Sequence, residues 1–593
     1  MKSMLRAWVV TAVMALGTAA AATPMGDELN ALLAWADEQD LALDPQSAVQ
    51  RGDLKRAGEF GDLISDEHFR RAEANLRAQL GRLALIERAQ LDAKERVAFD
   101  VFAYQARFAL RQYEQGHLKF AQQQPLDPIF GRHLGFAQFS SGSGGASYRT
   151  LADYEAGLSR IDGFVTYLDR AIARQREGLR DGRVHPRWIV AKLIEQLDGQ
   201  LSQAVEESPY FQPIKQWPAE LPAADLARMD KAYREAMAGR IKPALARLRD
   251  HLRIEMLPAA RTSAGLAALP GGAAYYEYQL EAHTTVQMSA EAIHRLGLAE
   301  VARIRRAMHR VRKQVGFEGP LAAFFAHLRS DARFKHATKD ALLRSYDDLR
   351  QRVELELPKY FSTLPKSRLE VRPVPAEQEG SAGGAYYMVG TADGSRPGVF
   401  YVNTSQLPTR TTPRTTALYL HEGLPGHHLQ ASLAQEDAAL PPTLRFAWNA
   451  GFGEGWALYC EWLGHEMGLY DDPYQHYGQL DMEIFRAVRL VVDTGLHAKG
   501  WSRERAVQYM LDNTSLEREF LEGEVDRYIV WPGQATAYKI GEIKIRELRR
   551  KAERALGRRF DLRAFHDQVL DTGAVPLAVL DAKITHWIRS LRR

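Results

Sequence analysis

Apolar residues recur every three or four positions along most of the chain, and this spacing limits the possible folds more than any other feature of the sequence. Such a period is typical of amphipathic helices, whereas strands alternate with a period of two. The clearest helical segments are Asp66–Ala89, Ala223–Ile254 and Leu298–Val315, and short breaks rich in Gly, Ser or Pro separate the segments. The sequence therefore predicts a mainly α fold.

One short region has a different character. Ala385–Val389 and Val399–Asn403 are rich in aromatic and β-branched residues, and they flank the turn-forming segment Gly390–Gly398. This arrangement predicts a β-hairpin. Helical periodicity returns at about Thr415 and continues to the C-terminus.

The first 22 residues have the features of a secretory signal peptide. Lys2 and Arg6 precede an apolar run, Ala7–Leu16, which small residues follow up to Ala22. We therefore expect an exported protein, periplasmic or secreted, with no stable membrane association after cleavage. Three regions follow and are expected to form one continuous catalytic unit: a helical region over 23–368, a β-element over 369–410 and a metal-binding helical region over 411–593.

Composition narrows the function further. The 78 Lys and Arg residues against 74 Asp and Glu give a formal charge of +4, so no basic face for nucleic acid is implied. The single cysteine, Cys460, cannot form an internal disulfide or a cysteine-based metal cluster. Any metal site must therefore use histidines and carboxylates.

Three histidines and a glutamate lie within His421–His428, which reads HEGLPGHH. In an H-E-x-x-H zinc helix the two histidines are four positions apart on one face. On an ideal helix His427 would instead point about 240° away from His421, and His428 would lie roughly 10 Å further along the axis. Pro425 and its flanking glycines favour a deformed helix, in which a bulge of two residues turns His427 back toward His421. The alternative is a helix end followed by a loop with surface histidines.

This motif resembles the HEGxPGHH signature of a large bacterial family of unknown function, which is grouped with the gluzincin-type zinc metallopeptidases. The matching segments span most of the chain: His421–His428, Glu454–Tyr459, His283–Thr285, Arg489–His497, and Pro532–Ala535 with Tyr538. The resemblance implies a two-lobed helical fold with a small β-element at a cleft.

The resemblance also implies a Zn²⁺ ion held by two histidines and a glutamate. His421 is the first ligand, and Glu454, 33 positions later, is the glutamate that a second helix supplies. His427 is chosen as the second histidine because Gly426 precedes it, and His428 is the alternative. Glu461 is the alternative ligand or a hydrogen-bond partner of a ligating histidine.

The remaining site residues are predicted from these ligand assignments. Glu422 is expected to act as the general base, and His497 and Tyr538 as hydrogen-bond donors to the oxyanion. Substrate-binding residues are predicted at four positions: Arg527 and Lys539, which would hold a carboxylate, and Tyr401 and Asn403, on a strand edge that pairs with the peptide.

A second segment imitates the start of a zinc motif. His465 and Glu466 stand in the right order, but Leu469 occupies the position of the second histidine. We expect this segment to be ordinary helix surface.

The sequence thus predicts an exported zinc metallopeptidase that hydrolyses peptides or short oligopeptides. Two alternatives remain open. One is a metal-dependent amidase that acts on a non-peptide or cell-wall amide, and the other is a non-catalytic metal-binding protein.

Overall fold

Helices dominate the computed structural model, which describes residues 23–129, 131–375, 379, 383–405 and 407–592. The predicted signal peptide at residues 1–22 lies outside the described residues. The helices before the sheet are α1 Pro24–Leu43, α2 Pro45–Gln50, α3 Asp66–Leu83, α4 Ala93–Glu114, α5 Leu118–Gln123, α6 Arg132–Phe139, α7 Leu151–Asp181, α8 Arg187–Ser202, α9 Gln212–Lys215, α10 Ala223–Ala236, α11 Lys242–His251, α12 Leu257–Ala259, α13 Gly272–Thr284, α14 Ala290–Gln314, α15 Leu321–Ser330 and α16 Lys339–Tyr360.

The chemically rich part of the sequence lies in the helices that follow the sheet. These are α17 Thr415–Glu422, α18 His427–Glu436, α19 Pro442–Arg445, α20 Ala450–Leu463, α21 Pro473–Lys499, α22 Arg503–Asn513, α23 Arg518–Val530, α24 Ala537–Leu556, α25 Leu562–Leu570 and α26 Leu577–Arg592. No helix in the described ranges is both long and apolar enough to cross a membrane.

The predicted mainly α fold is confirmed, with differences at the ends of helices. Ser65 caps the start of α3 with its side chain, but the helix ends at Leu83, six residues before the predicted end. The predicted helix Ala223–Ile254 is continuous because two π-helical turns, Met237–Ile241 and Leu252–Met256, join α10, α11 and α12. The third prediction, Leu298–Val315, matches the C-terminal part of α14, which begins earlier, after its N-cap Ser289, and ends at Gln314.

The β-region forms a three-stranded sheet rather than an isolated hairpin. Its strands are β1 Leu369–Pro373, β2 Ala385–Met388 and β3 Gly398–Val402. The predicted hairpin is confirmed, because β2 and β3 pair antiparallel. β1, which the sequence pattern did not reveal, pairs in parallel with the other side of β3. The order β1-β3-β2 places β3 in the centre and β2 at an edge.

Two large hydrophobic cores organise the helices, and neither follows the predicted division at residues 369–410. The first core joins α7, α8, α11 and α14 to the late helices α21, α22 and α23. The second core joins the early helices α1, α3 and α4 to the sheet and to α17, α20, α24 and α26. The chain therefore passes between the cores more than once, and helices from both border one cleft.

Candidate metal centre

The HEGLPGHH segment connects two helices. α17 ends at Glu422, residues 423–426 form a turn with a cis peptide bond between Leu424 and Pro425, and α18 begins at His427. The carbonyl oxygen of Pro425 accepts a hydrogen bond of 2.9 Å from Nε1 of Trp456 on α20. The expected two-residue bulge inside one helix is therefore wrong: one helix stops at Glu422 and a second helix starts at His427.

Gly426 makes this tight turn possible. A Cβ atom at this position would lie 2.0 Å from the carbonyl oxygen of His421 and 2.3 Å from that of Leu420. Every other residue has a Cβ atom, which would clash with these carbonyl oxygens, so only glycine fits at this position. The glycine therefore lets the start of α18 pack against the end of α17, which brings His427 beside His421.

The side chains of His421, His427 and Glu454 converge. Nε2 of His421 lies 3.4 Å, and Nε2 of His427 3.5 Å, from the same oxygen of Glu454, Oε2. One ligand atom from each residue lies within 4.8 Å of the others. An N–H···O hydrogen bond spans about 2.7–3.2 Å, so both separations are too long for good hydrogen bonds.

The two nitrogen–oxygen separations fit ligands of one shared metal ion better than they fit hydrogen bonds between the side chains. Nitrogen and oxygen ligands held about 2.0–2.1 Å from a tetrahedral ion are separated by roughly 3.3–3.4 Å. Two imidazole nitrogens and one carboxylate are also a typical donor set for catalytic zinc. The residues present therefore fit a zinc ion, with a fourth position open.

Glu461 orients His421. Its Oε1 lies 2.8 Å from Nδ1 of His421, and both residues are almost fully buried. Burial alone would lower the pKa of His421, but the carboxylates of Glu454 and Glu461 raise it to about 9. Glu461 therefore acts as the hydrogen-bond partner, one of its two predicted roles, and leaves Nε2 of His421 facing Glu454.

Close helix packing positions Glu454 on α20. A Cβ on the next residue, Gly455, would lie 2.5 Å from Cα of Gly541 on α24, and a Cβ on Gly541 would lie 1.9 Å from the carbonyl oxygen of Gly451. These glycines let the two helix backbones touch. Although burial opposes ionisation of Glu454, the two histidines hold its pKa well below the usual value, so the carboxylate is charged.

Glu422 borders a cleft of about 1150 Å³ together with the three converging residues. Burial raises the pKa of its carboxyl group above the usual range, and the neighbouring His421 and His427 oppose the rise. Exposed aromatic side chains, including Phe446 and Trp448, also line the cleft. The site thus combines a carboxylate of raised pKa with space for an extended ligand.

His428 faces away from the converging residues. Its Nε2 lies 3.1 Å from the carbonyl oxygen of Ser367, and its Nδ1 lies 3.0 Å from the hydroxyl of Tyr387 on β2. The geometry thus favours His427 over His428 as the second histidine of the cluster. The imitation motif at His465 and Glu466 is exposed, as expected, but it follows the end of α20.

Of the two predicted oxyanion donors, the structure brings only Tyr538 to the cleft. Its ring lies nearly parallel to that of His421, with 6.5 Å between centroids. His497 is fully buried elsewhere: its Nδ1 accepts from the backbone N–H of Leu266, and its Nε2 donates to the carbonyl oxygen of Tyr528. The prediction for His497 is not supported, because both ring nitrogens already form hydrogen bonds with the backbone.

The two cations predicted to hold a carboxylate are also engaged elsewhere. Lys539 has no exposed surface, and its Nζ forms ion pairs of 2.6, 2.8 and 3.2 Å with Glu483, Glu542 and Glu300. Arg527 pairs with Glu524 at 2.9 Å and does not line the cleft. Both residues are therefore paired with carboxylates of the protein and are not positioned to contact a ligand.

The sheet order does not support the prediction that the strand with Tyr401 offers a free edge to a peptide. Tyr401 lies on β3, which has a partner strand on each side, so its backbone cannot pair with a ligand. Asn403 lines the cleft, but its Oδ1 accepts from the backbone N–H and hydroxyl of Ser405 and its Nδ2 donates to the carbonyl oxygen of Glu379. The strand that borders the cleft at a sheet edge is β2.

Sequence reasoning missed two cleft residues on α21, Arg486 and Arg489. The sequence did contain a signal for these two arginines, because both interrupt an otherwise apolar helical run, Ile484–Val492. Cations within such a run are rarely buried unless they have partners or a function.

The chain resembles two bacterial proteins of known structure over nearly its whole length. A crystal structure described as "the putative lipoprotein from Colwellia psychrerythraea" has 27% sequence identity and a TM-score of 0.87, and the match covers 95% of this chain and 99% of that one. A "putative lipoprotein of unknown function from Shewanella oneidensis" has a TM-score of 0.72 over 94% of this chain and 99% of its own, and its 18% identity supports a common fold alone. The family profile "Bacterial protein of unknown function (DUF885)" matches residues 45–584, and no curated protein matches in sequence.

Proposed function

The chain belongs to the DUF885 family of bacterial proteins of unknown function, and we propose that it is a zinc-dependent peptidase of the gluzincin type. Its substrates in this proposal are peptides or short oligopeptides. The observation that carries the proposal is the convergence of His421, His427 and Glu454 beside Glu422 in one cleft.

His421, His427 and Glu454 would hold the zinc ion. Bound there, zinc would supply Lewis acidity for attack of water on an amide carbonyl at neutral pH. Glu422 is adjacent in sequence to His421, and its raised pKa suits a group that gains and then loses a proton. Its carboxylate takes a proton from water and passes it to the nitrogen of the leaving amine.

Tyr538 is the residue proposed to stabilise the oxyanion. Burial raises the pKa of its hydroxyl above the usual value, so the hydroxyl keeps its proton at neutral pH. A protonated hydroxyl on this cleft-lining ring can donate a hydrogen bond to negative charge that develops on the carbonyl oxygen.

The edge of β2 is proposed to bind the substrate backbone. β2 borders the cleft and pairs with β3 on one side only. An extended peptide can add to such an edge through backbone hydrogen bonds, which do not depend on side-chain identity. This mode of binding fits a peptidase of broad specificity.

We also propose that the protein is exported. The signal-peptide pattern of residues 1–22 supports this, and the structural relative from Colwellia psychrerythraea is described as a "putative lipoprotein".

The decisive experiment compares the mature protein with Glu422→Gln. The wild type is expected to bind about one zinc per chain and to cleave members of a peptide library. Glu422→Gln is expected to keep the zinc but lose at least about 100-fold in cleavage rate, because general base catalysis typically contributes that much. Zinc content is measured by elemental analysis and cleavage by mass spectrometry. Zinc binding without cleavage of any peptide would refute the peptidase proposal and favour an amidase or a binding protein.

A further inference from the structure

Two arginines on α21 form part of the cleft wall close to the candidate metal centre. Arg486 and Arg489 are three positions apart, so they lie on the same helix face. Each residue is only 5% exposed, although both line the cleft. Burying a guanidinium group is costly unless its charge and its N–H groups are satisfied.

Neither guanidinium is fully satisfied by the described part of the chain. Nε of Arg486 and Nη1 of Arg489 are buried without a hydrogen-bond partner there. The carboxylate paired with Arg486 is that of Glu461, whose Oε1 lies 3.6 Å from Nη2, beyond hydrogen-bond distance. Each arginine therefore has an N–H group that no described residue satisfies.

The charges around Arg489 are also unbalanced. Glu524 lies 3.0 Å from Arg489 and 2.9 Å from Arg527, so one carboxylate serves two guanidinium groups. Of these three residues, only Arg489 borders the cleft. An anionic ligand in the cleft would supply the missing negative charge.

Both guanidinium groups lie near His421. Nη2 of Arg486 is 3.6 Å from Oε1 of Glu461, which is 2.8 Å from Nδ1 of His421. Cζ of Arg489 lies 4.4 Å from the centroid of the Tyr538 ring, and that centroid lies 6.5 Å from the centroid of the His421 ring. An extended peptide spans about 3.3–3.6 Å per residue. One or two residues of a substrate would therefore span the separation between His421 and either arginine.

We propose that Arg486 and Arg489 bind the C-terminal carboxylate of the substrate, and that the protein therefore removes one or two residues from the C-terminus of peptides. This inference rests on the proposed peptidase function. Water adds across the last or the second-last peptide bond: its hydroxyl joins the carbonyl carbon and its remaining proton joins the amine. The released amino acid or dipeptide carries the carboxylate that the arginines hold.

Binding tests the inference without turnover. Zinc-loaded Glu422→Gln is titrated by calorimetry with two peptides that differ only in a free or an amidated C-terminus. The free acid is expected to bind about 100-fold more tightly, because hydrogen bonds to charged groups are the strong ones and amidation removes the charge. Equal affinity within threefold would overturn the inference.

Variants assign the effect to the arginines. Arg489→Gln, made in the Glu422→Gln background, is expected to reduce the acid-to-amide ratio at least tenfold. Arg550→Gln is the matched control, since Arg550 is exposed on α24 and does not border the cleft. It should keep the ratio, and a loss of equal size in both variants would contradict the assignment. If Arg489→Gln does not fold, the comparison of the two peptides on protein with both arginines still decides the inference.

Products of the active protein separate this inference from the proposed function. Release of single amino acids or dipeptides from free acids, with slow cleavage of amides, supports both. Internal cleavage of acids and amides at similar rates would overturn the inference and leave the peptidase proposal intact. Tight binding of the free acid without cleavage would support the carboxylate site and refute the peptidase proposal.

Discussion

At the scale of single residues, hydrogen bonds decide how the candidate ligands face one another. Glu461 lies against Nδ1 of His421, which leaves Nε2 toward Glu454. His428, one position from His427, is held instead by Ser367 and Tyr387. Neighbours in sequence thus have different roles because their hydrogen-bond partners come from distant parts of the chain.

We expect Glu461→Gln to weaken zinc binding by about 10- to 100-fold, because partners of ligating histidines orient the ring and raise its basicity. Competition with a chromogenic chelator measures the affinity. Glu547→Gln, on the exposed face of α24, is the control and should bind zinc like the wild type. Unchanged affinity in Glu461→Gln would argue against His421 as a ligand.

Asp493 gives a pH dependence of stability. Burial raises its pKa to about 7, although hydrogen bonds from Tyr276 and the backbone N–H of Gly533 oppose the rise. An unfolded aspartate titrates near 3.9, so between about pH 4 and pH 7 the folded state binds more protons at this site. The free energy of unfolding should therefore fall as the pH rises through this window.

Asp493→Asn should remove this contribution. The decrease in the free energy of unfolding between pH 5 and pH 7 is expected to be about 2 kcal/mol smaller in the variant than in the wild type. Urea unfolding at both pH values measures it. Equal decreases in the two proteins would mean that Asp493 titrates in its usual range.

At the scale of elements, the site depends on how closely α20 packs on α24. Glycines at the crossing let the backbones touch, and Glu454 lies next to one of them, Gly455. The turn between α17 and α18 likewise needs a glycine at position 426, where a Cβ atom would clash with the backbone of α17. Close contacts between backbones thus help to position the three helices that carry the candidate ligands, α17, α18 and α20.

Gly455→Ala is expected to lower the free energy of unfolding by about 1–3 kcal/mol, because its Cβ would overlap the backbone of Gly541. Zinc affinity should fall as well, since the displaced helix carries Glu454. Gly199→Ala on α8 is the control: its Cβ meets no atom within 4 Å, and alanine is the better helix former. Denaturant unfolding and zinc titration of both variants test this prediction.

At the scale of the whole molecule, the cleft combines two cores. α17, α18 and α20 belong to the second core and carry the candidate zinc ligands. α21 belongs to the first core and carries Arg486 and Arg489. A ligand in the cleft would contact residues from both cores, so binding there should stabilise the fold as a whole.

Zinc is expected to raise the free energy of unfolding by about 4 kcal/mol when free zinc is a thousandfold above its Kd. His427→Ala should abolish most of this increase. His428→Ala should keep it, even though the variant loses stability through its missing bonds to Ser367 and Tyr387. Thermal unfolding with zinc and with a chelator measures the increase, and the opposite ranking of the two variants would make His428 the ligand.

The helical class, the β2–β3 hairpin and the cluster residues His421, Glu422, His427, Glu454 and Glu461 followed from local pattern and from a family resemblance. Periodicity and turn composition are local properties, so they predict elements well. β1 escaped prediction because its parallel partner is distant in sequence and its pattern is short.

Tertiary structure alone decided which polar residues have partners. Lys539 and His497 carry the chemistry of a site, but folding gives Lys539 three carboxylates and both nitrogens of His497 hydrogen-bond partners. Arg486 and Arg489 border the cleft with N–H groups unsatisfied by the described residues. The sequence by itself determined which groups the protein can use, whereas packing between distant helices determined which of them face the cleft, because burial and pairing depend on contacts that no local pattern contains.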